Sequence, residues 1–262
     1  MSKPPSLLPR EHGAYAELAF PLVTGLCLAP PTTAALALAG AALVLFLVHE
    51  PLAILLGLRG QRLKDQFQKR APPRVASLLV AGLILGEVSW WQSGGQIWPS
   101  LLFPLLPTLL LIPLVLSGRQ KTLAGELLVL TAFSTLVLPL AAASGADPAL
   151  AGWAASVWWV SFFLGTLEVH AIKARHKNTQ RSRWTRWGSP VASAAVVAGC
   201  LIGVFTQGEP FGVPALALLP PAAGVLILGL IRVHPRHLKR VGWTLVGANT
   251  LALVLLLWRP LG

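Results

Sequence analysis

Four glutamates interrupt segments that are otherwise apolar: Glu17, Glu50, Glu126 and Glu168. An ionisable group inside a membrane is costly, and it usually faces a bundle interior, where it pairs or serves function. Each of the four has a basic residue at the nearer end of its segment. At 1.5 Å per helical residue, Glu17 is about 10 Å in from Arg10 and Glu50 about 13 Å in from Arg59. Glu126 is about 7 Å in from Lys121, and Glu168 about 10 Å in from Arg175. The four carboxylates therefore share one layer. His12, His49 and His170 fall on the same side, and Arg59, Arg62, Arg119, Lys121, Lys173 and Arg175 rim it. A basic rim over a carboxylate floor suits an anionic head group, because the cations neutralise phosphate and the carboxylates hold Mg²⁺ or a proton. On this reading Glu50 and Glu168 are the candidate catalytic residues and the candidate Mg²⁺ ligands. The rim cations bind substrate together with Glu17, Glu126, His12, His49 and His170. A second reading is structural: the same glutamates pair with basic residues of neighbouring helices and orient the bundle. A di-metal centre does not fit, since such sites use Glu-x-x-His on one helix face. Here His49-Glu50 and Glu168-x-His170 place their members about 100° and 200° apart.

The elements that carry these residues follow from composition. The chain has 262 residues, 55% hydrophobic and only 11% charged, and its mean hydropathy is +0.68. A soluble domain is about 25% charged, so an ordinary soluble enzyme and a disordered chain are both excluded. The net charge of +12 does not indicate nucleic acid, because the basic residues punctuate apolar segments and build no solvated patch. Cys27 and Cys200 lie in separate apolar segments and support neither a disulfide framework nor a metal motif. Glu17 interrupts the first apolar run, which therefore does not read as a cleavable signal peptide. Phosphate-loop, nucleophile-elbow, zinc-protease and haem-attachment motifs are absent.

A spanning helix needs about 20 mainly apolar residues. Nine segments qualify: 11–29, 34–57, 75–91, 99–116, 122–143, 150–172, 189–206, 211–232 and 241–258. Of the 21 Lys and Arg, all but Arg259 fall at the N-terminus or in alternate connections. By the positive-inside rule the N-terminus is cytoplasmic and the C-terminus external. The expected fold is all-α: a nine-helix polytopic bundle forming a single transmembrane domain over 1–262. Its long basic cytoplasmic loops are 59–74 and 173–188. Trp90, Trp91, Trp98, Trp153 and Trp258 then anchor the outer interface, and Trp184, Trp187 and Trp243 the inner one. Ser182–Trp187 reads as a basic stretch riding on anionic lipid, and Asn249 as helix–helix glue. The Glu50–Pro51 bond is expected to bend the second helix. Arg10–Leu18 aligns weakly with Arg119–Leu127, which suggests two parallel four-helix repeats plus a ninth helix, as internal repeats build other membrane folds.

The run Pro9-Arg10-Glu11-His12-Gly13-Ala14-Tyr15 with Pro21, followed by His49-Glu50-Pro51 and Arg59, resembles the YwiC-like family of bacterial membrane proteins. The resemblance implies a multi-pass protein of the bacterial inner membrane and supplies no activity. In architecture, nine spans with enlarged cytoplasmic connections after the second and sixth resemble the UbiA-type polyprenyltransferase superfamily. That resemblance implies Mg²⁺ and a prenyl diphosphate bound at those two connections. The superfamily's Asp-rich motifs are missing, for the only aspartates are Asp65 and Asp147; Glu50 and Glu168 stand near the corresponding places. Three functions are therefore carried forward. The first is an intramembrane enzyme or binding protein whose cytoplasm-facing polar cavity takes an anionic, isoprenoid- or phospholipid-like or diphosphate-like molecule, as a divergent UbiA-like transferase. The second is a proton-coupled transporter, and the third an accessory subunit of a membrane complex. Membrane lipids are the expected partners, with no nucleic acid.

Overall fold

The computed structural model describes residues 7–9, 12–176, 183–206, 212–231 and 233–258. In a bilayer the backbone has no water to bond, so the chain satisfies its N–H and C=O groups within helices. Eleven α-helices result among the described residues: α1 His12–Cys27, α2 Thr33–Leu55, α3 Gln61–Phe67, α4 Ala71–Gln92, α5 Trp98–Leu116, α6 Leu123–Ser134, α7 Val137–Ala143, α8 Pro148–His176, α9 Arg183–Thr206, α10 Gly212–Ile231 and α11 Leu238–Leu257. A 3₁₀ turn, Pro235–His237, leads into α11. Eight helices are long and apolar enough to cross a membrane, counting α6 and α7 as one, and Gly13–Cys27 is a shorter apolar ninth. The chain is thus a polytopic helical membrane bundle.

The departures from the expected boundaries have local causes. The segment 122–143 is broken at Thr135–Leu136. Pro139 has no N–H to give the Thr135 carbonyl, which accepts instead from Leu138 N–H at 3.0 Å. The loop 59–74 is not irregular throughout. It contains α3, whose Phe67 packs with Ile54 and Ala71, and α4 already starts at Ala71, with prolines at its first positions where a missing N–H costs nothing. Within the loop 173–188, α8 runs on to His176 and α9 begins at Arg183. Pro51 sits inside α2, which continues as helix for another turn, to Leu55.

Packing centres on α8. Trp158, fully buried, stacks between Phe20 of α1 and Phe162, with ring centroids at 5.1 and 5.7 Å. Its indole N–H donates to Thr24 Oγ1 at 2.9 Å. Lipid tails are as apolar as these side chains, so close packing and such interhelical hydrogen bonds hold the helices together. Around this centre, α4 packs mainly on α2, and α9 packs more extensively on α10 than on α8. The neighbours of α4 and α9, which the repeat makes counterparts, therefore differ. Most of the tryptophans expected at interfaces are exposed, including Trp90, Trp91, Trp98, Trp187, Trp243 and Trp258.

Candidate functional site

The polar layer lies at the end of the bundle that holds the C-termini of α2, α5, α8 and α10. At that end Ile172 of α8 packs with Leu228 of α10 and Val241 of α11.

On α2, Glu50 is 1% exposed. Its carboxylate Oε2 accepts from Arg59 Nη2 at 2.6 Å, and the Arg59 side chain keeps 21% of its surface open. The turn that brings Arg59 back over nine residues is set by glycine. Gly57, at φ 75°, ends α2, and its N–H reaches the Ile54 carbonyl while Leu58 N–H reaches Ala53. That pair of bonds is the Schellman termination, whose left-handed residue is usually glycine. Gly60, at φ 95° and ψ 152°, occupies a region essentially reserved for glycine. Two glycines therefore bracket the arginine and fold it onto the carboxylate.

Next to Glu50, His49 faces a different direction and meets Gln120 in the α5–α6 turn, at a long 3.4 Å. On α6, Glu126 Oε2 lies 2.7 Å from His170 Nε2 of α8, both side chains being 31% exposed. Glu168, two residues before His170, is completely buried and turns to the opposite neighbours. A Cβ added to Gly229 of α10 would sit 3.3 Å from its Oε2 and 2.8 Å from Pro190 of α9. The absence of a side chain at 229 is what lets α10 approach the carboxylate. Glu17 is half-buried on α1. Arg62, Arg119, Lys121 and Lys173 are exposed. The side chains of His12 and Arg175 lie outside the described residues.

The structure thus pairs candidates twice, Glu50 with Arg59 and Glu126 with His170, and gives His49 a partner outside the candidate set, Gln120. It sets Glu168 at a separate interface, between α8, α9 and α10. Among the described residues no group of three or more His, Cys, Asp or Glu is arranged to hold a metal. Two cavities, of about 470 and 510 Å³, lie at the other end of the bundle. One is bounded by the α1–α2 connection and Leu256, the other by α8, α9 and α10.

Sequence reasoning passed over Gln120 and the Thr24–Trp158 bond. The signals were present: an amide in a short turn facing a histidine, and a threonine inside an apolar run. Arg59, expected in an open rim, is instead held in a fixed turn that Gly57 and Gly60 on either side mark.

No curated protein and no solved structure matches the chain significantly. A family model described as YwiC-like protein matches residues 8–142, just over half of the chain. The match spans α1 to α7 and so includes Glu17, Glu50, Arg59 and Glu126. On that match, the chain belongs to the YwiC-like family.

Proposed function

We propose that this YwiC-like chain sits in the bacterial inner membrane with its basic end toward the cytoplasm, and that this end binds an anionic amphiphile of isoprenoid or phospholipid type. One observation carries the reading. The carboxylates Glu50 and Glu126 already have cationic or imidazole partners, whereas Arg62, Arg119 and Lys173 are exposed and make no ion pair among the described residues. The layer therefore presents surplus positive charge at a membrane surface, where each basic residue attracts anionic lipid by about 1 kcal/mol.

A transferase version would use Mg²⁺ between Glu50 and Glu168. A shared ion does not fit their placement, because Arg59 occupies Glu50 and Glu168 turns toward Pro190 and Gly229. Binding without a shared metal is the version best supported. Proton-coupled transport is the second reading, favoured by the half-open Glu126–His170 contact, since carboxylate–imidazole pairs serve as proton relays in membranes.

The test is binding of soluble diphosphate to the purified protein, with and without Mg²⁺ and chelator. Arg119→Ala and Lys173→Ala should each weaken binding several-fold, and chelator should change nothing. Strict dependence on Mg²⁺, lost in Glu50→Gln and Glu168→Gln, would favour the transferase version. Uptake driven by a proton gradient and abolished by Glu126→Gln would favour the carrier. Absence of any ligand would leave the accessory-subunit reading.

A further inference from the structure

Helices α4 and α5 are consecutive and joined by only the five residues 93–97. Trp90 and Trp98 meet edge-on at the apex, with ring centroids 5.8 Å apart. Helices linked so tightly normally pack along their length as an antiparallel pair. Among the described residues these two make little backbone packing with each other: α4 lies on α2, and α5 lies on α6 and α7. Apart from the Trp90–Trp98 contact at the apex, each follows a different neighbour. The helices they lie on, α2 and α6, also lack close backbone packing with each other. Side chains span that distance instead. Phe46 of α2 meets Phe133 of α6 at 5.9 Å, and Tyr15 of α1 meets Phe46 at 5.1 Å. All three rings are only half-buried. One turn farther along α2, His49 reaches Gln120, which is flanked by the exposed Arg119.

We infer that α4 and α5 stand apart below their apex and leave a lateral cleft that holds one hydrocarbon chain of a bound anionic lipid, lying on the Tyr15–Phe46–Phe133 rings with its head group at His49, Gln120 and Arg119. The inference rests on the anionic-amphiphile reading above and adds the place and the tail. A gap bordered by apolar side chains in a bilayer does not stay empty, because its walls would forfeit their dispersion contacts. The charge at one end selects the occupant. A neighbouring copy of this pair of helices carries its one acid, Glu87, near the opposite end of α4, whereas a lipid brings its phosphate to the level of Arg119 and its chain to the rings.

The experiment uses the full chain in phosphatidylcholine nanodiscs containing a phosphatidylglycerol with a photoactivatable group on one acyl chain. Labelled residues are mapped by mass spectrometry. Labels should concentrate on Phe46, Phe133 and the cleft sides of α4 and α5, well above those on Leu230 and Leu251, which are more exposed than the two rings. Phe46→Ala should lower that cleft labelling on the order of five-fold, the loss of one aromatic contact, and Phe46→Leu should lower it less. Phe46→Ala should leave binding of soluble diphosphate unchanged. Labels spread evenly over all exposed helices would overturn the inference. So would efficient disulfide cross-linking between two copies carrying Leu83→Cys or Leu106→Cys, which would show protein covering the cleft. If diphosphate binds but the chain does not label the cleft, this inference alone fails; if neither diphosphate nor phosphatidylglycerol binds, the reading beneath it fails too.

Discussion

Removing the arginine from the Glu50–Arg59 pair should harm the protein more than removing the carboxylate. The Glu50 carboxylate is almost fully enclosed, while about a fifth of the Arg59 side chain is open. Arg59→Ala strands a buried negative charge, and breaking a buried pair in that way costs about 3–5 kcal/mol. Glu50→Gln leaves an amide oxygen that still accepts from Arg59 Nη2, and the arginine can turn its charge toward water. Its cost should be nearer that of one charge-assisted hydrogen bond, about 1.5–3 kcal/mol. The pair itself is imperfect: contact runs through one nitrogen at 2.6 Å, and Arg59 Nε is buried without a hydrogen-bond partner. The double variant Glu50→Leu/Arg59→Met removes both charges together. It should be less destabilised than Arg59→Ala, since replacing a whole buried pair by apolar groups is often close to neutral. The assay is reversible unfolding in mixed micelles across the two single variants and the double. Equal losses for Arg59→Ala and Glu50→Gln, or a double variant worse than either single, would show that the Glu50 charge does not depend on Arg59 for its burial.

Three further outcomes follow from close contacts. Gly60→Ala should destabilise more than Gly57→Ala, because φ 95° with ψ 152° admits essentially only glycine, whereas the left-handed region at 57 costs alanine about 1–2 kcal/mol; comparing the two unfolding midpoints decides it. Thr24→Val should leave the Trp158 indole N–H buried without its acceptor, at about 1–3 kcal/mol, and Thr24→Ser should restore most of the loss; unfolding followed by tryptophan fluorescence reports both, and equal losses in the two variants would contradict the hydrogen-bond account. Gly229→Ala would set a methyl 2.8 Å from the Pro190 ring, so α9 and α10 must shift apart; a cross-linking yield between cysteines placed on those helices should fall, and an unchanged yield would show that the contact relaxes locally.

The membrane class was legible because it depends on composition and on segment length, both of which lipid constrains directly. The helix ends were less so. Pro139 breaks a segment that hydropathy reads as continuous, since hydropathy counts apolar surface and ignores the missing N–H. Amphipathic α3 was hidden in a run read only for its charge, yet Phe67 is its buried anchor. The carboxylate layer was visible from depth arithmetic, which fixes position along a helix axis. Azimuth is what that arithmetic lacks. Glu168 and His170 share a depth but face different helices, because two residues rotate a helix by about 200°. The partners were therefore beyond reach except where local chemistry dictates a return, as Gly57 and Gly60 do for Arg59.

Surplus positive charge at one end of this bundle is proposed to bind anionic lipid. The most direct measurement is retention of phosphatidylglycerol against phosphatidylcholine by the delipidated protein, read by native mass spectrometry. The test compares wild type with the triple variant Arg62→Ala/Arg119→Ala/Lys173→Ala. At about 1 kcal/mol per basic residue, the triple change removes about 3 kcal/mol, which should lower phosphatidylglycerol affinity on the order of 100-fold and leave phosphatidylcholine retention as it was. Equal retention of the two lipids by wild type, or an equal fall for both in the variant, would show that these cations do not select anionic lipid.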